Sequence, residues 1–317
     1  MRHIYFCACS PEGGIEHYLE RDGKLSFCEH TPLDRPMYMV IDGWRAYVLL
    51  REVDPVSRFG GMIAFEIDAD GRLVHPTPVL NTQGIVPCHL AAGQGDIYAV
   101  NYLSGNIIRF PDLVRGHTGS GPNVERQEAP HTHFVEISDD GSEVYCVDLG
   151  LDTIFVYDRE LNEKARIRLP SGYGPRHLVF SEDRKAMFCV YELANAVSML
   201  KRIGEEWKVV DTVPLLEQPG NGGAAAIRIF EDELYVSVRG ADVLVRLKIL
   251  DTKLQVLNRI SCGGASPRDF DWIDGRLYCA NENSNTVTIF QRDGENFVRL
   301  SDTLSMPHPL CVCALRD

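Results

Sequence analysis

A thirteen-residue unit recurs five times in this chain without an internal gap, and that recurrence constrains the fold more than any other feature. The copies are YAVNYLSGNIIRF from Tyr98, YCVDLGLDTIFVY from Tyr145, FCVYELANAVSML from Phe188, YVSVRGADVLVRL from Tyr235 and YCANENSNTVTIF from Tyr278. Each opens on an aromatic residue, runs through small or β-branched residues, breaks at a polar turn and resumes as a second apolar run. That pattern is two strands joined by a tight hairpin. Successive copies start 47, 43, 47 and 43 residues apart, the length of one four-stranded propeller blade.

A second marker precedes the aromatic start, typically a proline, two variable residues and an apolar one. It stands at Pro36-Met37-Tyr38-Met39, Pro87-Cys88-His89-Leu90, Pro175-Arg176-His177-Leu178, Pro267-Arg268-Asp269-Phe270 and Pro307-His308-Pro309-Leu310. Degenerate copies are His131-Thr132-His133-Phe134 and Ala224-Ala225-Ala226-Ile227. Seven markers predict an all-β, seven-bladed β-propeller with four antiparallel strands per blade. The last marker is too near the C-terminus to found a blade. Its strand, PLCVCALR, is therefore expected to join the N-terminal run IYFCAC and close the ring, which hides both sheet edges.

No linker or shift in composition interrupts the period, so residues 1–317 read as one domain. VDPVSRFGG (53–61) lengthens a hairpin of the second blade, and HTGSGPN (117–123) reads as a flexible loop between strands. The glycine-rich GNGGAAA (220–226) reads as a tight loop. The net charge of −13 disfavours nucleic acid, whose recognition needs basic surface. No run of lysine and arginine suits an anionic membrane, and no stretch of 18 apolar residues suits a span. The N-terminus lacks the apolar segment of a signal peptide, so a cytoplasmic protein, monomeric or weakly homo-oligomeric, is expected. Among ten cysteines, Cys146, Cys189 and Cys279 share the second repeat position and read as small core residues in a reducing compartment. Cys7 and Cys9 with Cys311 and Cys313 make two C-x-C pairs, a spacing that suits packing better than a zinc knuckle.

In a propeller the first strand of every blade lines the axis, so equivalent positions converge. The first variable marker position carries Met37, Cys88, Thr132, Arg176, Ala225, Arg268 and His308. The next carries Tyr38, His89, His133, His177, Ala226, Asp269 and Pro309. The fifth position of the repeat carries Tyr102, Leu149, Glu192, Arg239 and Glu282, with Arg51 equivalent in the second blade. Buried charge is costly unless paired or kept for a ligand, and arginine presents a planar fork to carboxylate or phosphate. Arg176, Arg239 and Arg268 thus predict a small anionic ligand. Against this, Arg176 with Glu192 and Arg268 with Glu282 can each form a private ion pair within one blade. His133 is the candidate acid–base group. Asn101, Asp148 and Asn281 share the fourth position, where turn capping explains them better than a cation site. There is no G-x-S-x-G, P-loop or H-E-x-x-H motif.

The phrases APHTHFVEISDDGSEVYCVDLGLDTIFVY, GPRHLVFSEDRKAMFCVYELANAV, LYVSVRG and PRDF resemble the seven-bladed propeller lactonase family, which includes bacterial 6-phosphogluconolactonases and fungal carboxymuconate cyclases. The resemblance covers nearly the whole chain. It implies activity without metal or organic cofactor. It also implies a functional set of His133, Arg176, Glu192 and Arg239, with Arg268 the alternative second arginine and Val238 departing from the family's asparagine. The expected substrate is a small anionic lactone, 6-phosphogluconolactone above others, bound with help from Arg268, His177, Tyr102, Glu282 and Arg51. Lactone formation from a muconate-type dicarboxylate and a non-catalytic scaffold are the alternatives.

Overall fold

Seven antiparallel sheets follow one another along the chain, each from a consecutive stretch except the first. The computed structural model describes residues 1–218, 222–294 and 296–316, so Gly220 and Asn221 of the glycine-rich stretch lie outside the described residues. Six sheets have four strands. The second has five, because Leu80–Ile85 pairs with the long strand Phe59–Ile67 that follows the inserted hairpin loop. The first strands of neighbouring sheets contact one another in a closed cycle, which makes the arrangement a seven-bladed ring. Helix is confined, among the described residues, to one 3-10 turn at Glu282–Ser284. No helix among them is long and apolar enough to cross a membrane.

The repeat explains how blades cohere. Among the described residues there are seven apolar clusters, and each joins neighbouring sheets. One unites Phe134, Tyr145 and Val147 with Leu178, Met187 and Tyr191; another unites Phe6 and Ile4 with Tyr278 and Ile289. The aromatic that opens each repeat is buried at such an interface, as Tyr98, Tyr145, Phe188, Tyr235 and Tyr278 all are. Strand pairing adds two further copies at Tyr5 and Tyr47, which face Cys313 and Val40 as Tyr98 faces Ala91.

Ring closure occurs as expected: Pro309–Ala314 is the innermost strand of the first blade, paired with Arg2–Ala8 so that Cys7 lies opposite Cys311. The seam is locked from the seventh blade by the buried Asp269 carboxylate, which accepts the Val312 backbone N–H at 3.1 Å. All ten cysteines are free thiols.

Two registers differ from the sequence reading. In the fourth blade Thr132 pairs with Asp148 and Val135 with Cys146, just as Pro175 pairs with Tyr191 and Leu178 with Cys189 in the fifth. Thr132 therefore takes the marker-proline position, and His133 corresponds to Arg176, not to His177. In the first blade Pro309, opposite Ala8, takes the proline position, so Leu310 replaces His308 in that axial layer. In every blade the pairing shifts right after the marker's proline position, a bulge at the first variable residue.

Candidate functional site

Glu192 leaves its strand at the mouth of the axial channel, and its buried carboxylate gathers arginines from three separate segments. Its Oε2 lies 3.1 Å from Arg176 Nε and 2.8 Å from Arg239 Nη2, while Oε1 lies 2.6 Å from Arg126 Nη2. The Arg176–Glu192 pair inside one blade is thus real but not private. Arg239 comes from the next blade, where its Nε also donates to Gly223 O at 3.0 Å. Arg126 comes from the connection preceding the fourth blade. Burial alone would favour a neutral Glu192, yet the fields of Arg239 and Arg176 hold its carboxyl far below the usual range. Burial pulls the Arg176 guanidinium down to about 9, helped by the like charges of Arg239 and Arg268.

The histidines lie directly beneath. Arg176 Nη1 donates to His177 Nε2 at 3.1 Å, which leaves the His177 proton on Nδ1. The His133 and His177 rings are 5.2 Å apart, and His177 and His89 5.3 Å apart. Burial, reinforced by Arg176, keeps His133 and His177 well below the ordinary histidine range, and burial with Arg228 and Arg176 does the same to His89. All three are therefore neutral. His133 Nδ1 and His177 Nδ1 are both buried polar atoms with no hydrogen-bond partner among the described residues, which costs stability unless a ligand or a water satisfies them.

A stability prediction follows. Because these imidazoles titrate below their unfolded value near 6.5, the unfolded chain binds more protons below that pH, and stability falls as pH falls. Each contributes up to about 1.4 kcal/mol per pH unit. His17 and His3 are lowered by burial as well, so thermal melts between pH 6.5 and 5 should show a steep loss, shallower by about a fifth in His89→Phe. An unchanged slope in that variant would contradict the assignment.

The other expected residues take distinct places. Tyr102 stacks on His131 with ring centroids 4.5 Å apart and meets His133 edge-on at 5.6 Å, and it accepts a long 3.4 Å contact from Arg126. Arg268 pairs with Glu282 inside its own blade at 3.4 Å, and its field still reaches His133 and Arg176. Arg268 is thus set off from the Glu192 cluster, whereas Arg239 is in it. Arg51 is exposed, and its field reaches Cys9 together with those of Arg268 and Glu282. Asn101, Asp148 and Asn281 each bond within or next to their own blade: Asn101 to Thr82 O, Asp148 to the His131 N–H, Asn281 to Thr288 Oγ1. They cap turns.

Two arginines escaped the sequence reading. Arg228 sits deeper on the axis, 2.8 Å from Asp269 Oδ1, and lines with Tyr38, His89 and Glu136 a cavity of about 340 Å³ on the far side of the histidines. It directly follows the apolar residue that ends the sixth blade's marker, so strand alternation was the available cue. Arg126 lies outside the repeat and gave no periodic signal.

Comparisons with known proteins show the family and the fold. Residues 6–314 match the family described as Lactonase, 7-bladed beta-propeller. The chain is 32% identical over 312 residues to the 6-phosphogluconolactonase of Bacillus subtilis (strain 168), covering 88% of this chain and 87% of that one. Its fold superposes on a protein from Lactobacillus plantarum with a TM-score of 0.90 at 25% identity, all of both chains being covered. It also superposes on the periplasmic gluconolactonase of Pseudomonas aeruginosa with a TM-score of 0.88 at 22% identity, covering 99% of each.

Proposed function

The chain belongs to the seven-bladed β-propeller lactonase family, and from that premise we propose that it hydrolyses a sugar-acid lactone in the cytoplasm, 6-phosphogluconolactone to 6-phosphogluconate first among candidates. The observation that carries this reading is the convergence of Arg176, Arg239 and Arg126 on Glu192 beside neutral His133, whose Nδ1 has no hydrogen-bond partner among the described residues. Ten unpaired thiols, including Cys7 and Cys311 on paired strands, support a reducing compartment.

In this reading the lactone carbonyl points at the guanidinium groups of Arg176 and Arg239. Water adds to the carbonyl carbon while His133 takes one of its protons. The arginines hold the oxyanion that forms, in surroundings where water screens them little. The ring C–O bond then breaks, and the imidazolium returns its proton to the departing alkoxide. Protonated His133 is strained by burial and by Arg176, so it gives the proton back readily. Glu192 holds the arginines at fixed spacing. Because lactones open in water unaided, this modest apparatus suffices and calls on no metal.

The test is lactone turnover by wild type, His133→Ala and Arg176→Ala. His133→Ala should lose about 10²- to 10⁴-fold in kcat with KM little altered, and Arg176→Ala about 10²- to 10³-fold. Wild-type rates in both variants would remove the mechanism.

A further inference from the structure

The connection between the third and fourth blades, running from Gly116 to Thr132, is the longest between blades among the described residues, and it is not the loose loop its composition suggests. His117, with its side chain 2% exposed, is clamped by Asp148 Oδ2 at 2.6 Å and Tyr157 Oη at 2.7 Å. Gln127 is fully buried, and its Nε2 donates to Leu149 O at 2.8 Å. The Asn123 side chain accepts the backbone N–H groups of Glu125 and Arg126 at 3.2 and 3.1 Å. A polar side chain is buried and satisfied here in order to fix a surface segment. What that segment delivers is Arg126, whose guanidinium reaches down from the solvent side to Glu192 and Tyr102.

The three guanidinium groups on Glu192 differ in exposure: Arg176 is 2% exposed, Arg239 19% and Arg126 43%. They form a ladder from the channel to its mouth. One carboxylate among three cations leaves two positive charges uncompensated, in a chain whose net charge is −13. No other carboxylate pairs with these three arginines among the described residues. A single negative charge, such as the oxyanion of an uncharged lactone, leaves that balance incomplete. A phosphate monoester carries about two negative charges at neutral pH and accepts bidentate arginine bonds.

We infer that Arg126 is the specificity-determining residue of this site, binding the phosphate of a phosphorylated sugar lactone at the mouth while the lactone carbonyl lies deeper against Arg176 and His133. This rests on the lactonase reading above and adds to it the residue that distinguishes phosphorylated from unphosphorylated substrates. The side chain contributes binding, and the chemistry stays with the deeper groups. As the outermost of the three it also meets the incoming anion first.

The test compares kcat/KM on 6-phosphoglucono-δ-lactone and on glucono-δ-lactone for wild type, Arg126→Ala and Arg126→Lys. Arg126→Ala should lower the preference for the phosphorylated lactone about 10- to 100-fold, the loss residing in KM, and the lysine variant should recover part of it. A ratio of the two kcat/KM values unchanged within about threefold would overturn the assignment, because a role in holding the cup together would depress both substrates alike. If wild type turns over neither lactone, the hydrolytic reading fails by itself. The Arg126 assignment is then read from the thermal stabilisation given by 6-phosphogluconate relative to gluconate. Loss of that difference in Arg126→Ala sustains it, and its persistence refutes it.

Discussion

Glu192→Gln is expected to lower the melting temperature by roughly 5–7 °C and to reduce lactone turnover by about 10²-fold or more. The substitution keeps the shape of the side chain, removes its charge and turns one of its two accepting oxygens into an N–H donor. In the wild type that charge is buried and shared by Arg126, Arg176 and Arg239. Its loss leaves three guanidinium groups facing one another with no counter-charge, and breaking such a buried pair costs about 3–5 kcal/mol. The stability effect has a defined pH signature. The folded-state pKa of Glu192 is depressed, so its contribution is complete above the unfolded value near 4.3 and fades as pH falls through the folded one. Wild type and variant should therefore differ most at neutral pH and converge in acid. Inorganic phosphate at millimolar concentration should restore part of the variant's melting temperature, because an external anion can take the vacated electrostatic role. A variant as stable and as active as wild type would mean that the arginines are balanced elsewhere.

Deleting residues 308–317 is expected to abolish cooperative folding. The deletion removes the inner strand Pro309–Ala314, and with it the buried Leu310, Cys311, Val312 and Ala314. It also exposes Ile4, Phe6 and Cys7, which pack against that strand at the two interfaces of the first blade. Each buried apolar side chain is worth about 1.5–3 kcal/mol, so their sum reaches the whole net stability of a typical domain, about 5–15 kcal/mol. The Asp269 carboxylate would also lose the Val312 N–H it accepts. Far-UV circular dichroism and thermal melts would report the outcome. A truncated chain melting cooperatively within a few degrees of wild type would show that the ring does not depend on this closure.

The repeat made the blades legible because one structural demand recurs: an aromatic plug between sheets, then alternation across a hairpin. Where the demand was met by other residues, legibility dropped. The second blade hides its repeat because residues 51–58 interrupt the hairpin after Arg51. The marker slipped in the fourth blade because Thr132 occupies the proline position. It slipped in the first because Pro307 and Pro309 offered two registers and only strand pairing chose between them. Arg176, Glu192 and Arg239 were readable as neighbours because symmetry brings equivalent positions together. That Glu192 gathers Arg239 and leaves Arg268 to Glu282 was not readable, since it depends on how far each guanidinium reaches across a channel. Arg126 belongs to no repeat. Its position is set by His117, Gln127 and Asn123, local hydrogen-bonding choices that carry no period.

If these arginines form one anion-accepting cup, titration calorimetry with 6-phosphogluconate, the stable product of the proposed reaction, will report it. Wild type should bind with one site per chain, and the double variant Arg176→Ala/Arg239→Ala should weaken binding by at least about 100-fold. Binding of equal strength in the double variant, or none in the wild type, would contradict the claim.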